Sequence, residues 1–256
     1  LRAEVGRPGF SRAIVGLSGG LDSAVSAALC QRAVGGSETL AVLLPYRTST
    51  PDSEAHARLV APALGLESRL VDVSAMAAGY LEPGGVTDAT RRGNVLARCR
   101  MVVLYDQSVE WTGLVVGTSN KTEMLLGYST QWGDAAHAVN PLGDLYQHQV
   151  FQRAEHLGLP SEVIEKPPSA DLFEGQTDAE DLGFTYEEAD RLLVRMVDAR
   201  MSEEELVVEG FERGFVRAVA ARVARNQYKR TPPVVAKLSQ LSTRGQPAPT
   251  TRGPNP

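Results

Sequence analysis

The chain has 256 residues, 43% of them hydrophobic and 22% charged, with a formal net charge of −5. That length and balance suit one globular domain with a substantial core and argue against a broad basic face for nucleic acid. Two cysteines without a CxxC spacing exclude a disulfide scaffold, and no apolar run approaches the roughly 20 residues that span a bilayer. With no signal peptide visible, the expectation is a cytoplasmic protein that needs neither membrane nor nucleic acid as a partner.

The first β-rich run is AIVGL (13–17), followed by SGGLDS and a helical stretch from Ser23 to Ala33 of small and apolar residues. The second run, LAVLLPY (40–46), leads to helical spacing over 52–64, with Leu59, Val60, Ala63 and Leu64 recurring and Pro62 able to kink it. The third run is SRLVDV (68–73). A long helix over 90–111 then carries an apolar stripe of Val95, Leu96, Met101, Val102 and Tyr105 with arginines between. The fourth run is LVVGT (114–118), after which a polar, glycine-containing region extends to about Pro141. A helix is expected from Leu145 to Leu157, ending at Gly158. KPPSADLFEGQTDAEDLGFTYEEAD is too polar for core and reads as a mobile loop, with helices near 185–200, 202–209 and 214–226 beyond it. The proline-rich end, 239–256, reads as a disordered tail, and residues 1–238 as a single domain.

Strands alternating with helices predict βαβ units and a parallel α/β sheet with helices on both faces; continuous apolar runs predict strands buried on both sides. In such sheets ligands sit at the carboxyl ends of strands, where Ser18–Ser23 falls. Gly19 and Gly20 allow a tight turn that aims N–H groups at an anion, and the helix start adds positive potential. The loop lacks the lysine of GxxxxGK[ST] and has Asp22 instead, which repels bare phosphate but suits Mg²⁺ bridging to it. The plain alternative is a strand–helix turn with Asp22 as a first-turn acid.

The string SGGxDS resembles the PP-loop of the N-type ATP pyrophosphatases, whose fold is a Rossmann-like parallel sheet. With PYRTS (45–49), RRGNVLARCRM (91–101), VVGTSNKTEMLLGYSTQWGD (115–134) and KPPSADLFEGQTDAEDLG (166–183), nearly the whole chain looks like NAD synthetase. The resemblance implies a ligase that adenylates the nicotinate carboxylate of deamido-NAD with ATP. Ammonia then displaces AMP. Many such enzymes carry an N-terminal glutaminase; these 256 residues leave no room for one, so the ammonia-dependent type is expected.

The same resemblance assigns roles. ATP would be held by Gly16, Leu17, Ser18, Gly19, Gly20, Leu21, Asp22 and Ser23, with Thr118 and Ser169. Asp22 and Glu123 would ligate Mg²⁺, and Arg98 and Lys229 would contact deamido-NAD. Asp22, Asp171 and Lys166 are the expected catalytic residues, Asp171 as acceptor of the ammonium proton. The 166–182 loop would be a lid against water, and a homodimer is expected, with deamido-NAD near its interface.

Plainer alternatives stand beside these: an N-cap for Thr118, a first-turn acid for Glu123, a solvated loop face for Lys166 and Asp171, a tail-anchoring surface lysine for Lys229, and ordinary surface charge for Arg91, Arg92 and Arg100 beside Arg98. Gln131 and Gln147 stand where the family often has lysine, so His148 or Arg153 could supply charge near phosphate. Among rivals, the GTSNKTE and PSADLFEGQTD strings disfavour GMP or asparagine synthetase. The lack of a basic face and of paired cysteines disfavours a tRNA-thiolating enzyme. Asp22 with Glu123 disfavours a regulatory nucleotide-binding domain.

Overall fold

The computed structural model describes residues 1–167, 178–234 and 236. Branched and small apolar residues form β1 (Arg12–Gly16), β2 (Thr39–Leu43) and β4 (Gly113–Val116), which join β3 (Glu67–Leu70) in one parallel sheet of order β3-β2-β1-β4. The register aligns Ile14 with Leu40 on one side and with Val115 on the other.

Alternate residues of these strands feed two cores. Val15, Ala41 and Leu43 face α2 (Leu21–Val34), α3 (Pro51–Ala63) and α7 (Gln147–Leu157). Ile14, Leu40, Val42 and Val115 face the long α5 (Ala89–Trp111) through Leu104 and Trp111. Helices therefore cover both faces, as the continuous apolar runs predict. Each fully buried Val or Leu contributes about 1.5–3 kcal/mol relative to exposure. The expectation fails for β3. Its residues are mostly exposed, with Leu70 at 43%, because it ends the sheet and only its β2 side is paired.

The remaining helices are short: α1 (Arg2–Gly6), α4 (Ser74–Leu81), α6 (Lys121–Leu126), α8 (Ser161–Ile164) and α9 (Asp178–Leu182). Beyond them α10 (Tyr186–Leu193) runs into a π turn (Val194–Asp198), so the expected 185–200 helix is α-helical only in its first part. α11 (Glu203–Val208), α12 (Arg213–Arg225) and a 3₁₀ turn (Gln227–Arg230) follow. A further core, away from the sheet strands, joins Leu126 of α6 and Tyr146 to Leu192, Leu193, Leu206, Val216 and Val219.

Two sequence expectations change in detail. The polar region after residue 118 contains α6, started by a capping box in which Asn120 and Glu123 exchange side-chain and backbone hydrogen bonds. α9 lies inside the segment read as a loop, while most of the lid (168–177) and the 239–256 tail lie outside the described residues.

Candidate active site

The strand order reverses between β1 and β4, and the chain leaves both at their carboxyl ends. Such a switch point opens a crevice. Here a cavity of about 1160 Å³ is lined by Gly16–Ser18 and Gly20–Ser23 after β1, and by Gly117–Ser119 and Glu123 after β4.

The β1 turn is built around Gly19, with φ +79°, where a Cβ would stand 2.0 Å from the Ser53 carbonyl oxygen. Only glycine fits both the left-handed backbone and the close pass of α3. Gly20 then caps α2, placing Leu21 and Asp22 in its first turn. Ser23 Oγ donates to Gly20 O at 2.9 Å and accepts from Ser18 N at 3.2 Å, which fixes the loop. The N-terminal N–H groups of an α-helix have no intrahelical acceptor, so this turn offers donors and positive potential to an anion.

Across the crevice Asn120 organises the acids. Its Nδ2 donates to Asp22 Oδ1 at 3.1 Å and also to Gln147 Oε1. Its Oδ1 accepts from Glu123 N at 3.0 Å, and its backbone N donates to Glu123 Oε2 at 3.0 Å. Thus the N-cap is Asn120 and not Thr118, whose residue lines the cavity instead. Glu123 is a first-turn acid, as the plainer reading has it, and it also lines the cavity.

Desolvation pushes the Asp22 carboxyl up to about 6, against the lowering effect of the Asn120 hydrogen bond. Desolvation and then the Asp22 charge raise Glu123 well above the usual carboxylate range, with Asp178 and Asp134 adding to it. Hard carboxylate oxygens crowded in this way suit a divalent cation shared with phosphate oxygens, since Mg²⁺ commonly takes one or two carboxylates and fills its shell from substrate and water. Among the described residues no group of three or more His, Cys, Asp or Glu side chains is arranged to hold a metal alone.

Sequence reasoning missed four residues here. Asp178 is 4% exposed, lines the cavity and accepts from Tyr186 Oη at 3.0 Å. Tyr128 Oη lies within hydrogen-bond reach of both Asp178 and Asp181. Asp134 lines the cavity, and desolvation raises its carboxyl against the hydrogen bond from Thr130 N, with a smaller lowering from Lys229. Asn120 was detectable from the N-x-x-E spacing of 120–123; nothing in the sequence singles out Asp178 among its acidic neighbours.

Of the expected cations, Lys166 lines the cavity and its Nζ donates to Ser53 Oγ at 2.8 Å. Lys229 also lines it, and donates to Gly127 O and Ser129 O, each at 2.7 Å; burial lowers its ammonium from the usual value. Arg98 is exposed and does not line the cavity, donating instead to the carbonyls of Asn94 and Gln131. Arg100, two residues on, does line it. Gln147 is buried at the cavity wall, held by Asn120. His148 turns to Asp190 and Arg153 is exposed, so neither faces the cavity. Ser169 and Asp171 lie outside the described residues.

Known proteins resemble the chain in sequence and in fold. The chain is 51% identical over 239 residues to an NH(3)-dependent NAD(+) synthetase of Trichlorobacter lovleyi, covering 93% of this chain and 88% of that one. An NMN synthetase from Francisella tularensis superposes with TM-score 0.81 at 28% identity, covering 92% of this chain and 93% of the other. An NH3-dependent NAD synthetase from Campylobacter jejuni, solved with nitrate, superposes with TM-score 0.77 at 29% identity over 92% and 94% of the two chains. The NAD synthase family model matches residues 1–233, and the chain belongs to that family.

Proposed function

We propose that the chain is an ammonia-dependent NAD synthetase, converting deamido-NAD, ATP and ammonia to NAD, AMP and pyrophosphate. One observation carries the site reading: Asp22 and Glu123, on two helix starts at the switch point, are joined through Asn120 inside one large cavity.

The loop Ser18–Ser23 binds the triphosphate through backbone N–H groups and the α2 start, with Gly16, Leu17 and Thr118 completing the ATP walls and Ser169 a further proposed contact. Asp22 and Glu123 would hold Mg²⁺, whose charge would offset that of the phosphate oxygens. The nicotinate carboxylate oxygen attacks the α-phosphorus; the bond to the β-phosphate oxygen breaks and pyrophosphate leaves. Loop donors aimed at the departing oxygens favour this step electrostatically. Lys166, beside Ser53, adds positive charge on that wall. Ammonium gives a proton to a carboxylate, for which we propose Asp171, and the ammonia so formed attacks the acyl carbon as AMP departs. The 166–182 segment is our proposed lid, keeping water from the adenylate, and we read residues 1–238 as one catalytic domain.

Lys229 is our proposed contact for deamido-NAD within the cavity. Arg98 reaches that substrate only if the substrate crosses the outer face of α5. That face carries Arg98, Val102, Tyr105 and Val109 at helical spacing, the last three 47%, 39% and 80% exposed, which supports a homodimer with the dinucleotide near its seam. The two cysteines, buried and free, suit the reducing cytoplasm in which we place the enzyme.

The test is a mixture of protein, ATP, Mg²⁺ and ammonium with deamido-NAD, and a parallel one with nicotinate mononucleotide. NAD forming with equal AMP is expected. Amidation of the mononucleotide alone would overturn the choice of substrate, and no AMP from either would overturn the reaction.

A further inference from the structure

Asp190 is an acid that the proposed chemistry does not use, yet it is 2% exposed. A buried carboxylate without partners costs several kcal/mol, so its contacts define its role. Its Oδ1 accepts from Thr122 Oγ1. Its Oδ2 accepts from His148 N at 2.9 Å and meets His148 Nδ1 at 2.8 Å. One carboxylate thus ties α10 to α6 and to the start of α7. Its partners are the immediate chain neighbours of Glu123 and Gln147.

The hydroxyl of Thr122 has one proton, and it goes to Asp190. Its lone pairs therefore face outward and accept Gln147 N at 3.1 Å. Gln147 Oε1 accepts from Asn120, whose other amide proton reaches Asp22. A run of hydrogen bonds, passing through Gln147 from its backbone N–H to its side-chain oxygen, leads from Asp190 to the acid of the glycine loop.

We infer that Asp190 is a positioning residue for the ATP site: by orienting Thr122 and the start of α7, it holds Asn120, Gln147, Asp22 and Glu123 in register. This rests on the ATP-site reading given above. The placement also means that an amide would not serve in place of the acid. In Asp190→Asn the side chain can still accept from Thr122, but its Nδ2 then faces the His148 N–H, donor against donor.

The experiment titrates wild type, Asp190→Asn and Thr122→Val with a non-hydrolysable ATP analogue and Mg²⁺ by calorimetry, with melting curves and steady-state constants for each. Glu187→Gln, exposed on the same helix, is the control. The expected result is an about tenfold weaker analogue Kd and higher KM for ATP in both site variants, with KM for deamido-NAD unchanged and the control equal to wild type. A variant that only melts earlier, with analogue Kd and ATP KM unchanged, assigns Asp190 to stability alone and overturns the inference. If Asp190→Asn does not fold, Thr122→Val decides by the same criterion, because it breaks the same run beyond the carboxylate. A wild type that fails to bind the analogue overturns the ATP-site reading and this inference with it; unchanged variants overturn this inference alone.

Discussion

Asn120 and Asp22 are 98 residues apart in sequence and 3.1 Å apart in space, amide nitrogen to carboxylate oxygen. The same side chain caps α6, so one residue sets a helix start and the acid of the opposite loop. Removing it in Asn120→Ala costs the cap about 1 kcal/mol, which lowers Tm by about 2–4 °C in a domain of this size. It also frees Asp22, so kcat/KM for ATP is expected to fall about 100-fold, far more than the stability loss explains. Melting curves and initial rates on one preparation separate the two effects.

Gly19→Ala tests the turn. The substitution puts a Cβ into the Ser53 carbonyl at a backbone angle that L residues rarely adopt. Strain of that kind costs about 1–3 kcal/mol before the clash is added. Activity is expected to vanish while circular dichroism still reports a folded sheet. Retention of a tenth of the wild-type rate would show that the loop can bind phosphate in another shape.

The acid cluster makes the ligand-free protein sensitive to pH. Asp22 holds its proton more tightly when folded, near 6 against an ordinary 3.8, and Glu123 shifts the same way. Their protonation therefore supports the fold fully below the unfolded value, and that support is lost as pH rises through about 6. For Asp22 the loss is on the order of 2–3 kcal/mol. In EDTA, Asp22→Asn is expected to melt higher than wild type at pH 8 and nearly level with it at pH 4, while making no NAD. Parallel melting curves for the two proteins would contradict the shift.

Lys229→Met removes the ammonium that holds Gly127 O and Ser129 O. Two charge-assisted bonds at a half-buried site contribute about 2 kcal/mol together, so Tm should drop by about 4–8 °C. KM for deamido-NAD is expected to rise and KM for ATP to stay within about threefold. The opposite pattern in steady-state kinetics would move Lys229 to the ATP side.

Much of this site was legible because its chemistry sits at ends of regular elements. SGGLDS follows an apolar strand and starts a helix, so its place at the sheet's carboxyl edge could be reasoned out, and Glu123 followed from the resemblance. What stayed hidden depends on long-range packing. Nothing local marks Asp178 or Asp190 as buried among the many acids of 171–205; their partners come from Tyr128, Tyr186, Thr122 and His148. Helices as short as α6 and α8 show too little periodicity to detect, and the one local signal for α6, the N-x-x-E spacing of 120–123, went unread. β3 read as buried because SRLVDV is apolar enough, but its place at the sheet edge was set by strand order. Arg98 and Arg100 differ by two positions and face different ways on α5, which composition does not reveal.

The end of α6 has carbonyl groups with no helical partner. They are taken up by residues about a hundred positions later: Arg222 and Asn226 on Leu126 O, Arg230 on Met124 O and Leu125 O, and Lys229 on the turn beyond. During synthesis, therefore, the sheet and the glycine loop can form long before these clasps exist. A chain cut after α10 would keep the glycine loop but lose every one of these clasps, leaving that wall of the cavity unfastened.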